Sequence, residues 1–243
     1  LVMFDSQETP APPNICPGTL TPGTLYSKFC TGGDGTTTCV DDSDCSGVGG
    51  DCEPVGGSLL AGYGKGGHTF NMSFGNADTN PGNYSDEIAR AIDVFLSDYR
   101  AAMTFASAGN ASGDADMDGV PDDLNVGGPG TEKNGVCVGG SLQSGNVNTR
   151  ANFSSVGPAT VTSNRVAPLL MAPAFDTQGG AGLFDPYACR NNDNDQDGPV
   201  QCTHDEQYLF TSEAGTSFAS PAVAGSALLV RDYFAQGFYP DGV

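Results

Sequence analysis

The sequence has no tryptophan, only 2 histidines, and only 9 lysine and arginine residues against 29 aspartate and glutamate residues. The resulting formal net charge of −20 argues against nucleic acid as a partner, because phosphate binding needs lysine and arginine. No stretch approaches about 18 consecutive apolar residues, which excludes a membrane span. There is also no fixed-period repeat, which argues against a repetitive structural module.

The sequence is rich in turn-forming residues and cysteine. Its 243 residues include 35 glycines, 16 prolines and 8 cysteines, and the length fits one large domain or two small ones. Five cysteines cluster among small polar residues in the N-terminal part of the chain: Cys16, Cys30, Cys39, Cys45 and Cys52. A segment with so few apolar side chains needs disulfides to fold, which predicts an oxidising, extracellular location. Zinc is the alternative, but no CxxC pair or nearby histidine supports it.

The chain divides into three parts by composition. Residues 1–4 (Leu-Val-Met-Phe) predict a short buried strand, and residues 5–57 form a cysteine-rich, disulfide-stapled segment interrupted by prolines. Residues 58–243 carry the regular hydrophobic periodicity of a folded core. Since the chain begins neither with methionine nor with a signal peptide, we expect that it was cut from something longer.

The core predicts an α/β fold. Thr69–Phe74, Ala101–Ala108 and Gly135–Val138 read as strands. An apolar stripe from Ile88 to Tyr99 recurs at helical spacing, and Ser85 is a candidate N-cap before it. Strand, helix and strand at this spacing indicate a mainly parallel sheet with helices on its faces. In such sheets ligands bind at the carboxyl ends of the strands.

One segment near the C-terminus combines a serine with a helix start. Residues 215–225 read Gly-Thr-Ser-Phe-Ala-Ser-Pro-Ala-Val-Ala-Gly and lead into an apolar helical run. Because proline is tolerated only in the first helical turn, the helix should begin near Ser217. A serine there lies beside free backbone N–H groups and the positive end of the helix dipole. An ordinary N-cap serine is the alternative interpretation.

That segment resembles the nucleophile motif of the subtilisin-like serine peptidases. Three further segments resemble the same family in the same order: 71–75 (Asn-Met-Ser-Phe-Gly), 105–110 (Phe-Ala-Ser-Ala-Gly-Asn) and 151–158, with Met-Ala-Pro at 171–173. Four segments in sequence are far more specific than any one of them. The resemblance covers residues 58–235 and implies a three-layer subtilisin-like fold, in which Leu1–Phe4 would be the preceding strand of the core.

The resemblance implies a role for each matching residue. Ser217 would be the nucleophile that forms an acyl-enzyme, and the side chain of Asn110 with the Ser217 N–H would bind the oxyanion. The segment that pairs with the substrate backbone would be Ser73, Phe74 and Gly75. The wall of the first specificity pocket would be Ser107, Ala108 and Gly109. Their small side chains leave room for a bulky substrate side chain.

The catalytic aspartate and histidine of that family have no match here. His68 lies three residues before Asn71 on the strand that would bind substrate, and His204 lies in a polar loop, so neither is expected to be the base. The expectation is that both groups lie upstream of Leu1 or in a companion chain, so that the sheet is incomplete at its N-terminal side. This chain alone should then be nearly inert.

Two acidic loops within the core predict calcium sites. Acids and a carbonyl occupy alternating positions around Gly119 in the first loop: Asp114, Asp116, Asp118, Val120 and Asp122. The second loop repeats the pattern before Gly198: Asp193, Asp195 and Asp197. Such oxygen ligands suit Ca²⁺, although Asn125 stands where an EF-hand has glutamate. The loops look like insertions near residues 111–130 and 185–205, the second with a possible Cys189–Cys202 bridge; solvated acidic turns are the alternative.

Together these features favour a secreted, calcium-stabilised serine endopeptidase acting on peptides or proteins. A first alternative is a pseudoenzyme of the same fold that binds peptides along residues 73–75. Against it stands the pair of Ser217 and Asn110, which a non-catalytic scaffold could lose. The second alternative, a structural calcium module, would predict repeats that the sequence does not show.

Overall fold

The computed structural model describes residues 25–32, 37–75, 87–112, 125–142, 148–159, 164–175, 177–180 and 210–238. Several sequence predictions lie outside these residues and stay predictions: the strand at 1–4, the N-cap Ser85, both acidic loops, His204, and the cysteines at 16, 189 and 202.

Two disulfides hold the cysteine-rich segment together. Strand β1 (Ser27–Cys30) pairs antiparallel with β2 (Cys52–Gly56), and a 3-10 helix (Asp42–Gly47) lies between them in sequence. The bonds join Cys30 to Cys45 and Cys39 to Cys52. The prediction of disulfides in this segment is confirmed for these four cysteines, which therefore cannot serve as zinc ligands.

The rest of the described chain alternates strands and helices. The elements are α1 (Ser58–Gly64), β3 (Thr69–Met72), α2 (Glu87–Asp98), β4 (Met103–Ser107), β5 (Val136–Ser141), β6 (Leu170–Pro173), β7 (Thr177–Gly180), β8 (Phe210–Glu213) and α3 (Thr216–Ala235). Strands β3, β4, β5 and β6 form a parallel sheet in that order, and β7 pairs antiparallel with β8. The predicted parallel α/β architecture is confirmed.

Helices cover both faces of this sheet. Neighbouring residues of β4 point to opposite sides, so that Ala106 packs with Ile92 and Phe95 of α2, while Phe105 packs with Ala219 of α3. Two residues of the cysteine-rich segment, Leu25 and Tyr26, join the α2 layer as buried core residues. The Tyr26 hydroxyl also donates to Asp98 over 2.7 Å, which ties the segment to the end of α2. None of the described helices is both long and apolar enough to cross a membrane.

Candidate active site

The carboxyl ends of β3 and β4 lie side by side and meet the start of α3. The parallel register pairs Met72 with Ala106, so residues 73–75 and 107–110 leave the sheet together. A pocket of about 240 Å³ lies between these segments and the helix. It is lined by Ser73, Phe74, Gly75, Ser107, Ala108, Gly109, Asn110, Gly127, Gly128, Thr216 and Ser217. All the predicted catalytic and substrate-binding residues are therefore brought together.

Ser217 is the second residue of α3 and faces the end of β3. Its Oγ donates to the carbonyl oxygen of Ser73 over 3.1 Å, and the Ser73 Oγ donates back to the Ser217 carbonyl over 2.8 Å. The helix start was predicted correctly, but Pro221 lies in the second turn and not in the first. Proline lacks an N–H, so the carbonyl four residues earlier, that of Ser217, has no partner within the helix. Ser73 supplies that partner and makes the proline tolerable.

The side chain of Asn110 is oriented by Thr216, whose role the sequence did not reveal. The Asn110 Oδ1 accepts from the Thr216 backbone N over 2.8 Å and from its Oγ1 over 2.9 Å. The Oγ1 in turn accepts from the Gly109 N over 3.2 Å. Because two donors hold Oδ1, the Nδ2 group must face the other way.

Gly215 keeps open the space beside two N–H groups. A Cβ at this position would lie 3.3 Å from the Asn110 Nδ2 and 3.8 Å from the Ser217 N. The Ser217 N–H is among the first in the helix, which have no intrahelical acceptor. The φ of Gly215 is 155°, which L side chains rarely adopt. Two N–H donors therefore border one small volume that only glycine leaves free, and Ser217 lines the same pocket.

The described residues that line the pocket are uncharged, and two of its segments approach each other closely. The lining side chains of residues 107–109 are small, and a Cβ on Gly75 would lie 2.8 Å from the Gly128 carbonyl oxygen. Burial of Cys137 nearby raises the pKa of its thiol to about 12, so this cysteine is a poor nucleophile.

His68 lies at the wrong end of the sheet to serve Ser217. Its carbonyl accepts from Met103 at the amino ends of β3 and β4, and its ring packs edge-on against Tyr63. The chain from His68 to Ser73 is extended, which separates His68 by about 16 Å from Ser73, the residue that bonds Ser217. This placement agrees with the expectation that His68 is not the base.

A family model of the subtilases matches residues 58–241 of the chain. The chain belongs to the subtilase family. The subtilase match spans the sheet, the pocket and α3, and confirms the fold class predicted from the motifs. A search of curated proteins found no significant match.

Several solved structures resemble this subtilase at low identity and with TM-scores below 0.5. The prenylagaramide maturation protease PagA is 20% identical over 75% of this chain and 50% of its own, with a TM-score of 0.48. The self-cleaved protease domain of PatA is 21% identical over 73% and 51%, with a TM-score of 0.46. A cold-adapted subtilisin-like serine proteinase is 21% identical over 68% and 42%, with a TM-score of 0.39. The chain spans about half the length of the first two.

Proposed function

We propose that this chain is the serine-bearing part of a secreted, calcium-stabilised subtilisin-like serine endopeptidase. One observation carries the proposal: the Asn110 amide and the Ser217 N–H border a single space that Gly215 keeps open, and Ser217 itself lines the pocket beside them. A nucleophile beside two preorganised N–H donors is what acyl transfer requires.

In the proposed reaction the Ser217 Oγ attacks the scissile carbonyl carbon and passes its proton to a base. The Asn110 Nδ2 and the Ser217 N–H stabilise the negative oxygen, the amine leaves with a proton, and water then hydrolyses the acyl-enzyme. Residues 73–75 pair with the substrate backbone, and residues 107–109 border the pocket for the substrate side chain. The Ser73 carbonyl holds the Ser217 proton in this chain, so the base must draw the hydroxyl away from it.

The base and its orienting carboxylate are proposed to come from a companion segment. Two surfaces of the described chain support this. One edge of β3 pairs with β4, whereas no described strand pairs with the other edge. The C-terminal part of helix α3 exposes large apolar side chains, with Leu229 73% exposed, Val230 57% and Phe234 53%. Apolar patches of this kind mark interaction surfaces, and we propose that the companion that adds a strand to β3 also covers this part of the helix.

Calcium is proposed to hold the two acidic loops. Carboxylates at 114, 116, 118 and 122 with the Val120 carbonyl would bind one ion, and those at 193, 195 and 197 a second. The residue that follows the first loop supports the fit: Asn125 is 7% exposed, and its Oδ1 has no hydrogen-bond donor among the described residues. A buried oxygen without a donor is suited to a cation. The ions would pin the loops and take no part in the chemistry.

Extracellular location is proposed from the disulfides. The Cys30–Cys45 and Cys39–Cys52 bonds close short loops in a segment with little apolar core of its own. Such stapled segments persist in oxidising compartments.

A fluorophosphonate probe tests the proposed function. The native preparation, in calcium buffer, is treated with the probe, and the adduct is mapped by mass spectrometry with a Ser217→Ala variant as control. Labelling at Ser217 is expected, together with a second polypeptide that carries the base. Absence of label in folded protein with an unblocked site would contradict the peptidase and favour a pseudoenzyme. A single species of 24.8 kDa in active material would contradict the companion segment.

A further inference from the structure

A chain of hydrogen bonds runs from the second turn of α3 to the backbone of Ser217 by way of β3. The Ser220 Oγ donates to the Asn71 Oδ1 over 2.7 Å. The Asn71 Nδ2 donates to the Ser73 Oγ over 3.0 Å. The Ser73 Oγ then donates to the Ser217 carbonyl over 2.8 Å. The last bond starts in the segment proposed to pair with substrate and ends on the proposed nucleophile.

The directions of these bonds follow from the Ser217 carbonyl, which can only accept: the Ser73 Oγ donates its single proton to it and must therefore accept from Asn71. Ser220 lies against Oδ1, so Nδ2 is the group that faces Ser73. A hydroxyl that accepts from Nδ2 keeps its single proton for another partner, which here is the Ser217 carbonyl. That carbonyl is available because Pro221 has no N–H to offer it.

This series of hydrogen bonds begins at Ser220, which is buried, and passes through Asn71, which is exposed. Ser220 is fully buried, and its Oγ also lies 3.0 Å from the Phe105 carbonyl of β4. Asn71 is exposed, so its truncation leaves no cavity in the core. Loss of Asn71 should therefore disturb the alignment of Ser73 with Ser217 without unfolding the protein.

We propose that Asn71 is a positioning residue that fixes the nucleophile of α3 relative to the substrate-binding segment after β3. This inference rests on the proposed function. Attack by Ser217 requires the substrate carbonyl, held by residues 73–75, to sit at a set distance from the Ser217 Oγ. A misplacement of about 1 Å can lower the rate about 100-fold.

Kinetics of Asn71→Ala and Asn71→Asp test the proposal in the active preparation with its companion. Asn71→Ala should lower kcat by about 10- to 100-fold with little change in KM. Asn71→Asp keeps the size and the acceptor for Ser220, but a carboxylate cannot donate to Ser73 and would accept its proton. We expect it to lose at least as much activity. Ser226→Ala is the control, since among the described residues its Oγ donates within its own helix, to the Ala222 carbonyl.

The outcomes separate this proposal from the proposed function. If both Asn71 variants have the same kcat as Ser226→Ala, the positioning role is overturned. It is also overturned if a fall in Tm accounts for the whole loss of activity. If wild-type protein does not react with the fluorophosphonate probe, the proposed function fails. In that case crystal structures of the wild type and of Asn71→Ala test the positioning role. The role is overturned if the Ser73 Oγ still lies about 2.8 Å from the Ser217 carbonyl in Asn71→Ala.

Discussion

Glu132 is a carboxylic acid in an environment that favours its neutral form. It is 2% exposed, its Oε2 accepts from the Thr104 Oγ1 over 2.8 Å, and its Oε1 has no partner among the described residues. Burial is the main cause that raises its pKa from 4.5 to about 8, and the charge of Asp93 adds to the shift. The bond from Thr104 and the charge of Arg165 oppose it.

This shift predicts how stability depends on pH. Between pH 4.5 and about 8 the folded protein keeps a proton on Glu132 that the unfolded chain has lost. Its contribution is therefore fully present below pH 4.5 and is lost as pH rises to about 8, with a slope of at most about 1.4 kcal/mol per pH unit. Glu132→Gln, neutral at every pH, should remove this slope.

Urea unfolding from pH 5 to 9 measures the effect, with Glu53→Gln as the control. Glu53 is exposed on β2, so its substitution should leave the slope as in wild type. Equal slopes in the wild type and in Glu132→Gln would show that Glu132 does not titrate in this range.

Thr216 offers a second test at the scale of one residue. Thr216→Val keeps the shape but removes the hydroxyl that bonds the Asn110 Oδ1 and accepts from Gly109. The backbone N of residue 216 still holds Oδ1, so we expect a partial loss: about tenfold in kcat, less than for removal of an oxyanion donor. Thr216→Ser keeps the hydroxyl and should retain most activity. Peptide-hydrolysis kinetics of the native preparation decide, and equal kcat values for the two variants would contradict the role.

At the scale of elements, α3 combines a helix with a proline that weakens it. Proline inside a helix costs about 3 kcal/mol, and here the freed Ser217 carbonyl gains a bond from Ser73. The helix thus gives up an internal hydrogen bond and gains a link to β3 at the proposed active site. The proline thus lowers the stability of α3 and leaves its Ser217 carbonyl free to align the helix with the end of β3.

Pro221→Ala separates these two effects. Alanine supplies an N–H that competes with Ser73 for the Ser217 carbonyl, so the free energy of unfolding should rise by about 1–2 kcal/mol while kcat falls. Urea unfolding and peptide hydrolysis measure the two quantities. In a double-mutant cycle with Ser73→Ala the losses in activity should not add, because both changes break the same bond. Additive losses would contradict the shared bond.

The sequence predicted elements better than it predicted the contacts between them. The periodicity of residues 88–99 and the run at 101–108 identified α2 and β4, since local hydrophobic patterns determine such elements. The roles of Thr216, Asn71 and Ser220 were missed because they depend on bonds between residues more than 100 positions apart. The buried Glu132 was also missed, because its bond comes from Thr104, 28 positions away, and nothing in Thr-Glu-Lys-Asn marks it as buried.

For the whole molecule, the net charge of −20 lowers the stability of the folded state when cations are scarce. Many like charges repel one another in the compact state, and bound cations reduce that repulsion. Two calcium ions would cancel about four of these charges at the acidic loops, where several acids lie close together in sequence.

Chelation is therefore expected to loosen the acidic loops first. In EGTA, limited proteolysis should cut within the acidic loops near residues 111–130 and 185–205 before the parallel sheet is attacked, and Tm should fall because calcium binds only the folded loops. Excess calcium should restore protection and equal magnesium should not, since magnesium demands smaller octahedral sites. Asn125→Ala should weaken calcium protection of the first loop and leave the second unchanged. Cleavage at the same sites and rates with and without EGTA would contradict calcium binding, and mass mapping of the fragments tells the two loops apart.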